Sequence, residues 1–278
     1  MIPGIIAGGV SQINMLVDTI LASLLPTGSP SWLYVSDRLM QLPLGIFAIA
    51  IGTVILPRLS SLFITKDKLA FSNTLDWSMR LIFLISIPAV IGLVMLAEPI
   101  ILTLFERGAF NSYDSLQASY SLIALASGLV AFMLIKILTP SFFARQEPKI
   151  PMYVALISMV LNAILAWLLG FNLGYGHIGL ALASSISAFF TAITLLFLLK
   201  REKIYESTEG WIIFWIRLSV ASIILILFLG YFSEEVSDLR RLTNFERTVY
   251  ILKMVILGMG LYLLALRLTG LKIKDFIN

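Results

Sequence analysis

The chain of 278 residues contains no cysteine and a single histidine, His177. The first absence excludes disulfides, thiolate metal sites and a cysteine nucleophile. The second excludes a metal centre built from several histidines. Charge is also scarce: Asp, Glu, Lys and Arg supply 13% of the residues, against about a quarter in an ordinary soluble domain. No Lys or Arg precedes Arg38, so the basic region that opens a signal peptide is missing. The expectation is a chain that starts directly inside a membrane helix, as a fragment or one half of a split protein would. There is no P-loop, no HExxH, and no Ser/His/Asp set around His177. The Gly8-Gly9 pair lies in an apolar run and does not form a dinucleotide loop. The sequence therefore reads as a non-enzyme. Its net charge of +4 comes from scattered residues without an aromatic–basic patch, which argues against nucleic-acid binding.

What the chain has in excess is apolar surface. Hydrophobic residues make up 59%, and the mean hydropathy is +0.97. A soluble fold needs a polar exterior that this composition cannot supply, so the solvent of this protein is mostly lipid. A spanning helix takes roughly 20 apolar residues. Hydropathy predicts eight spans, at residues 3–25, 32–56, 81–104, 116–138, 152–171, 178–199, 212–232 and 249–268. The fold class is thus all-α and polytopic, and the short connections leave no room for a soluble domain.

Orientation follows from Lys and Arg. Thirteen fall on one side of the predicted spans: Arg58, Lys66, Lys68, Arg80, Lys136, Arg145, Lys149, Lys200, Arg201, Lys203, Arg267, Lys272 and Lys274. Five fall on the other: Arg107, Arg240, Arg241, Arg247 and Lys253. The richer side is expected in the cytoplasm, with both termini. The acidic run Glu234, Glu235 and Asp238 is expected outside.

Polar residues within spans are costly and mark candidate sites. In the first span Gly4, Gly8, Ser11, Asn14, Asp18 and Ala22 share one helical face. Asp18 suits a cation or proton site, or a partner for a cationic group; the plainer alternative is a carboxyl held by neighbouring helices. The second span carries Asp37, Arg38, Gln41, Gly45, Ala48 and Gly52, with Pro43 expected to kink it one turn beyond Arg38. Arginine suits phosphate because its planar fork donates bidentate hydrogen bonds. The alternatives for Arg38 are an ion pair with Asp37 or Asp18, or a snorkelling side chain. Asn162 in the fifth span and Ser184, Ser185 and Ser187 in the sixth could join Asp18 as oxygen ligands for Na⁺. Ala181, Ser185, Ala188 and Ala192 read as a close-packing face. Pro88 is expected to bend the third span and Glu98-Pro99 to break its end, ahead of an interfacial turn at Glu106, Arg107 and Gly108. Lys136 is expected to snorkel to headgroups, the last two spans to face lipid, and His177 to be a plain loop residue.

Several motifs carry a resemblance. Ser31-Trp32-Leu33-Tyr34, Asp37-Arg38-Leu39, Leu42-Pro43-Leu44-Gly45, Ala50-Ile51-Gly52-Thr53 and Leu56-Pro57-Arg58-Leu59-Ser60 follow in order. Then come Leu104-Phe105-Glu106-Arg107-Gly108-Ala109-Phe110, Phe142-Phe143-Ala144-Arg145 and Lys149-Ile150-Pro151. Together they resemble the MurJ (MviN) lipid II flippases of the multidrug/oligosaccharidyl-lipid/polysaccharide exporter superfamily, over essentially the whole chain. The resemblance implies two six-helix lobes plus two extra helices, of which this chain would be the second lobe (1–200) and the extra pair (201–278). It implies transport of lipid II across the bacterial inner membrane for cell-wall synthesis, by alternating access between lobes. Arg38 matches the second-lobe cavity arginine thought to engage pyrophosphate, with Asp37 and Gln41 beside it as substrate-binding candidates and Pro43 as a hinge. The last two helices would form a groove for the lipid tail. The coupling ion would be Na⁺ or H⁺ at Asp18, Asn162 and Ser184, although Ala166, one turn beyond Asn162, offers no second acid. No other cofactor is implied. The partners would be lipid II, membrane lipids and a separate N-terminal six-helix lobe, without which the chain is expected to be inactive. The competing expectations are an exporter of another polyprenyl-linked saccharide or a drug, and a non-transporting fragment.

Overall fold

In a computed structural model, residues 2–232 and 236–271 are described, with side chains described at Gly9 and from Gln12 onward. Gly4, Gly8 and Ser11 of the polar face, Glu234 and Glu235 of the acidic run, and Lys272 and Lys274 lie outside the described side chains. The described residues are helical, with no strand among them. α1 is Ile2–Ser23. α2 (Ser29–Pro43) runs through a π segment, Leu44–Ile49, into α3 (Ala50–Ile64). α4 (Lys68–Met95), α5 (Ala97–Phe105), α6 (Ser112–Ser127) and α7 (Leu129–Ala144) follow. Next are α8 (Lys149–Trp167), extended by a π segment at Leu168–Asn172, and α9 (Gly176–Arg201). The chain ends with α10 (Trp211–Phe232), the short α11 (Val236–Leu239) and α12 (Asn244–Leu268).

Among the described residues six stretches are long and apolar enough to cross a membrane, and seven if α6 and α7 count as one span bent by 41°. α1, with 22 residues, stands at the place of the first predicted span. The multi-span all-α architecture is therefore the observed one. The spans differ from the predicted ones chiefly at their ends. Polar turns of helix continue past the apolar core, so α4 starts at Lys68, capped by Asp67 accepting from the Ala70 amide at 3.0 Å. Hydropathy sees only the apolar part. The third span breaks at Leu96, not at Glu98-Pro99. Pro99 sits in the first turn of α5, where a missing N–H costs no intrahelical bond. α4 itself continues as helix through Pro88.

The bend between α6 and α7 falls at Gly128. A Cβ there would lie 2.6–2.8 Å from Ser185, so only glycine admits α9 this closely. The Ser185 hydroxyl donates to the Ala124 and Leu125 carbonyls at 2.8 and 3.3 Å, tying α9 to the end of α6. Ala181, Ser185, Ala188 and Ala192 are all buried, as a close-packing face requires. A central apolar cluster from α3, α4, α7 and α9 includes Leu59, Leu75, Ile137 and Leu195. A separate cluster joins α4 to α10 and α12 through Leu218, Leu225, Tyr262 and Leu266.

Side-chain contacts tie loops into two ends. At one, Arg240 lies 3.2 Å from Glu98 and 3.7 Å from Glu106. The turn at Glu106–Arg107–Gly108 is present, with Gly108 at φ 60°. At the other, Arg145 pairs with Glu147 at 2.8 Å and Glu202 at 2.6 Å.

Candidate functional site

A cavity of about 1300 Å³ opens between α1, α2, α7, α8 and α9. Its polar wall comes from Asn14 and Asp18 on α1, Asp37 and Gln41 on α2, and Ser184 on α9. Leu33, Met40, Phe132 and Leu195 are among its apolar lining. Helical spacing explains the wall. Asn14 and Asp18 are four apart, as are Asp37 and Gln41, so each pair shares a face.

The predicted cation residues come together. Asn162 is fully buried, and its Nδ2 donates to Asn14 Oδ1 and Asp18 Oδ1, both at 3.0 Å. Ser184 Oγ donates to Asp18 Oδ2 at 3.2 Å and lies 3.4 Å from Asn162 Oδ1. One carboxylate, two carboxamides and one hydroxyl thus converge from three helices. Ala166, one turn along α8, packs in an apolar cluster with Ala22, Leu180 and Ala183, which closes that side of the site.

The substrate-binding candidates divide. Gln41 Nε2 donates to Asp37 Oδ2, and both residues line the cavity. Arg38 is exposed and is not part of that lining. Its guanidinium carbon lies 4.8 Å from the Tyr34 ring centroid, and Nη1 is 3.4 Å from Gln41 Oε1. Among the described residues neither ion pair considered for Arg38, with Asp37 or with Asp18, is formed at bonding distance. Pro43 stands at the junction where α2 widens into the π segment.

The sequence reading missed three features. Lys136 lines the cavity. It stands on the stretch of α7 that Gly52 lets α3 approach: a Cβ on Gly52 would meet the Lys136 carbonyl oxygen at 2.9 Å. His177 is not a loop residue. It is buried in the first turn of α9, 2.6 Å from Ser121 Oγ and 3.0 Å from Gln117 Oε1. Its ring lies edge-on to Trp32 at 4.7 Å, and Trp32 Nε1 donates to Asp114 at 2.9 Å. The residues before His177 read as a turn, which hid its burial. The third is Asp76, buried on α4. It accepts from Tyr205 Oη at 2.7 Å, Trp211 Nε1 at 2.8 Å and Arg80 Nε at 2.9 Å, and also from Thr208. Burial, and then the Asp76 carboxylate, push the Tyr205 phenol above its usual range, so it stays a donor. The Asp76/Arg80 spacing of four was the only signal in the sequence for this clamp.

Long apolar helices packed around a cavity of mixed polar and apolar lining define a polytopic helical membrane protein, and solved structures share the fold. A MATE family multidrug resistance transporter of the MOP superfamily, in an outward-facing conformation, matches with a TM-score of 0.66 over 95% of this chain and 62% of its own, at 16% identity. The inward closed conformation of a lipid II flippase MurJ matches with a TM-score of 0.78 at 30% identity, over 97% of this chain and 52% of that one. The family model for lipid II flippase MurJ matches residues 1–261. A probable lipid II flippase MurJ of Vibrio cholerae is 42% identical over 99% of this chain, and one of Haemophilus influenzae is 41% identical over 98%. The chain belongs to the MurJ family. It spans about half the length of these relatives, 52% and 54% respectively.

Proposed function

We propose that this chain acts as the C-terminal part of a lipid II flippase. In this reading residues 1–200 form one lobe and 201–278 an appended helix pair, in the bacterial inner membrane with both termini cytoplasmic. The observation that carries the proposal is the large cavity, lined by polar as well as apolar side chains, in a chain of MurJ family membership. A lipid-linked precursor has a polar head that needs such a wall and a tail that does not. Arg38 and Lys136 would attract pyrophosphate, with Asp37 and Gln41 holding the arginine's surroundings in place. The Asp18, Asn14, Asn162 and Ser184 oxygens would hold Na⁺ or a proton; oxygen donors with one carboxylate suit a hard, singly charged ion. The wide turn after Pro43 would let α2 and α3 swing as lobes rock, since π segments and proline are where helices bend.

Complementation in bacteria depleted of their own lipid II flippase tests the proposal. The chain is expressed alone and together with the six-helix N-terminal half of a relative, with insertion checked in both. The expected result is rescue only in combination, abolished by Arg38→Ala and reduced by Asp18→Asn. Rescue by the chain alone would overturn the need for a second lobe. Full rescue by Arg38→Ala would remove the anion role. No rescue with both halves inserted would favour another lipid-linked or drug substrate, or a non-transporting fragment.

A further inference from the structure

A second cavity, of about 410 Å³, lies away from the site described above. Two helix faces, the connection at Thr208 and Gly210, and Leu271 wall it. α4 presents Asp76, Trp77 and Arg80, and α10 presents Phe214 and Arg217. Exposed Ile213 stands on the same α10 face. Two guanidinium groups face one carboxylate, which leaves a positive charge over. That carboxylate is already occupied: Asp76 accepts from Tyr205, Trp211, Thr208 and Arg80. Arg80 commits Nε to Asp76 and Nη2 to Thr208 and the Glu209 carbonyl, and its Nη1 makes no hydrogen bond among the described residues. Arg217 is half-buried and has no ion-pair partner among the described residues.

The depth of this pocket says what could meet those donors. The apolar runs begin at Leu81 on α4 and Ile212 on α10, so the pocket sits where the hydrocarbon gives way to headgroups. Trp77 and Trp211 lie just outside those runs, as tryptophan does at a membrane interface. Basic pockets between helices at such an interface hold lipid phosphates. We infer that this pocket binds the phosphodiester of an acidic phospholipid. Arg217 and the free Nη1 of Arg80 take the phosphate, and the exposed Ile213 lies against an acyl chain. The site is independent of the substrate cavity and of any flippase activity.

The test uses the full chain in nanodiscs of phosphatidylcholine with graded phosphatidylglycerol, with retained lipid counted by native mass spectrometry. The expected result is saturable retention of phosphatidylglycerol in preference to phosphatidylcholine. Arg217→Gln should weaken it by about five- to tenfold, the order of one charge-assisted contact. Arg217→Lys, which keeps the charge and loses the fork, should weaken it less. Arg201→Gln, at the same end but outside the pocket, should leave it unchanged. Equal losses from Arg201→Gln and Arg217→Gln would mean diffuse surface attraction and would overturn the site. Absence of any phosphatidylglycerol preference in the unmodified chain would overturn it without recourse to variants. Displacement by millimolar inorganic phosphate would assign the pocket to a soluble anion and overturn the lipid.

Discussion

A single buried carboxylate holds the link between the helix α9 and the final helices. Asp76 is almost fully buried and gathers Tyr205 and Thr208 from the 202–210 connection, and Trp211 at the start of α10, onto α4. Ser72 adds to the clamp, donating to the Glu206 carbonyl at 3.0 Å and accepting from its amide at 2.9 Å. Removing one partner of a buried charge pair leaves the other uncompensated. Asp76→Ala should therefore destabilise the protein by about 3 kcal/mol, read as a lower melting temperature in detergent. Limited proteolysis in the 202–210 connection should accelerate as well. Tyr205→Phe removes one donor and should cost about 1 kcal/mol. If Asp76→Ala melted like the unmodified protein, the clamp would not hold the connection.

Among the elements, the bend between α6 and α7 makes a sharp demand on one residue. Gly128 meets backbone as well as side chain of Ser185, so the neighbour cannot turn aside. Gly128→Ala should cost about 1–3 kcal/mol through overpacking. Ser185→Ala, losing only hydrogen bonds to the Ala124 and Leu125 carbonyls, should cost about 1 kcal/mol. Gly92, inside α4 with nothing within 4 Å of a Cβ, provides the contrast. There alanine should be neutral or slightly stabilising, because it narrows the unfolded ensemble. Thermal unfolding of the three variants in one detergent checks the order, and a Gly128→Ala protein as stable as Gly92→Ala would refute the close approach.

The whole molecule turns apolar side chains outward. Ile13, Leu16 and Ile20 on α1, Ile157 and Ile164 on α8, and Ile256 and Leu264 on α12 are all exposed, as lipid solvation allows and water does not. The uneven Lys and Arg distribution makes a topological prediction. Alkaline phosphatase fused in the 106–111 turn should be active, because that turn is expected outside the cytoplasm. The same enzyme fused in the 145–148 or 202–210 connections should be inactive. The reverse pattern would invert the orientation and move the acidic-lipid pocket to the outer face.

Composition and periodicity were enough to establish a helical membrane protein, its approximate spans and the polar faces of α1 and α2. These depend only on local spacing: apolar runs of membrane length, and side chains three or four apart. Asp18, Asn162 and Ser184 were legible as candidates because a polar group deep in an apolar run stands out whatever surrounds it. Their convergence was not legible, since it depends on how α1, α8 and α9 pack. Tertiary structure also decided which of the neighbouring serines 184, 185 and 187 serves the cluster. Ser184 bonds Asp18, while Ser185, one residue on and turned by about 100°, seals the bend at Gly128. It placed Lys136 in the cavity, buried His177 against Trp32, and kept Arg38 out of the cavity lining. A sequence determines which face of a helix a residue occupies; only the packing of other helices determines whether that face meets lipid, a neighbour or a cavity.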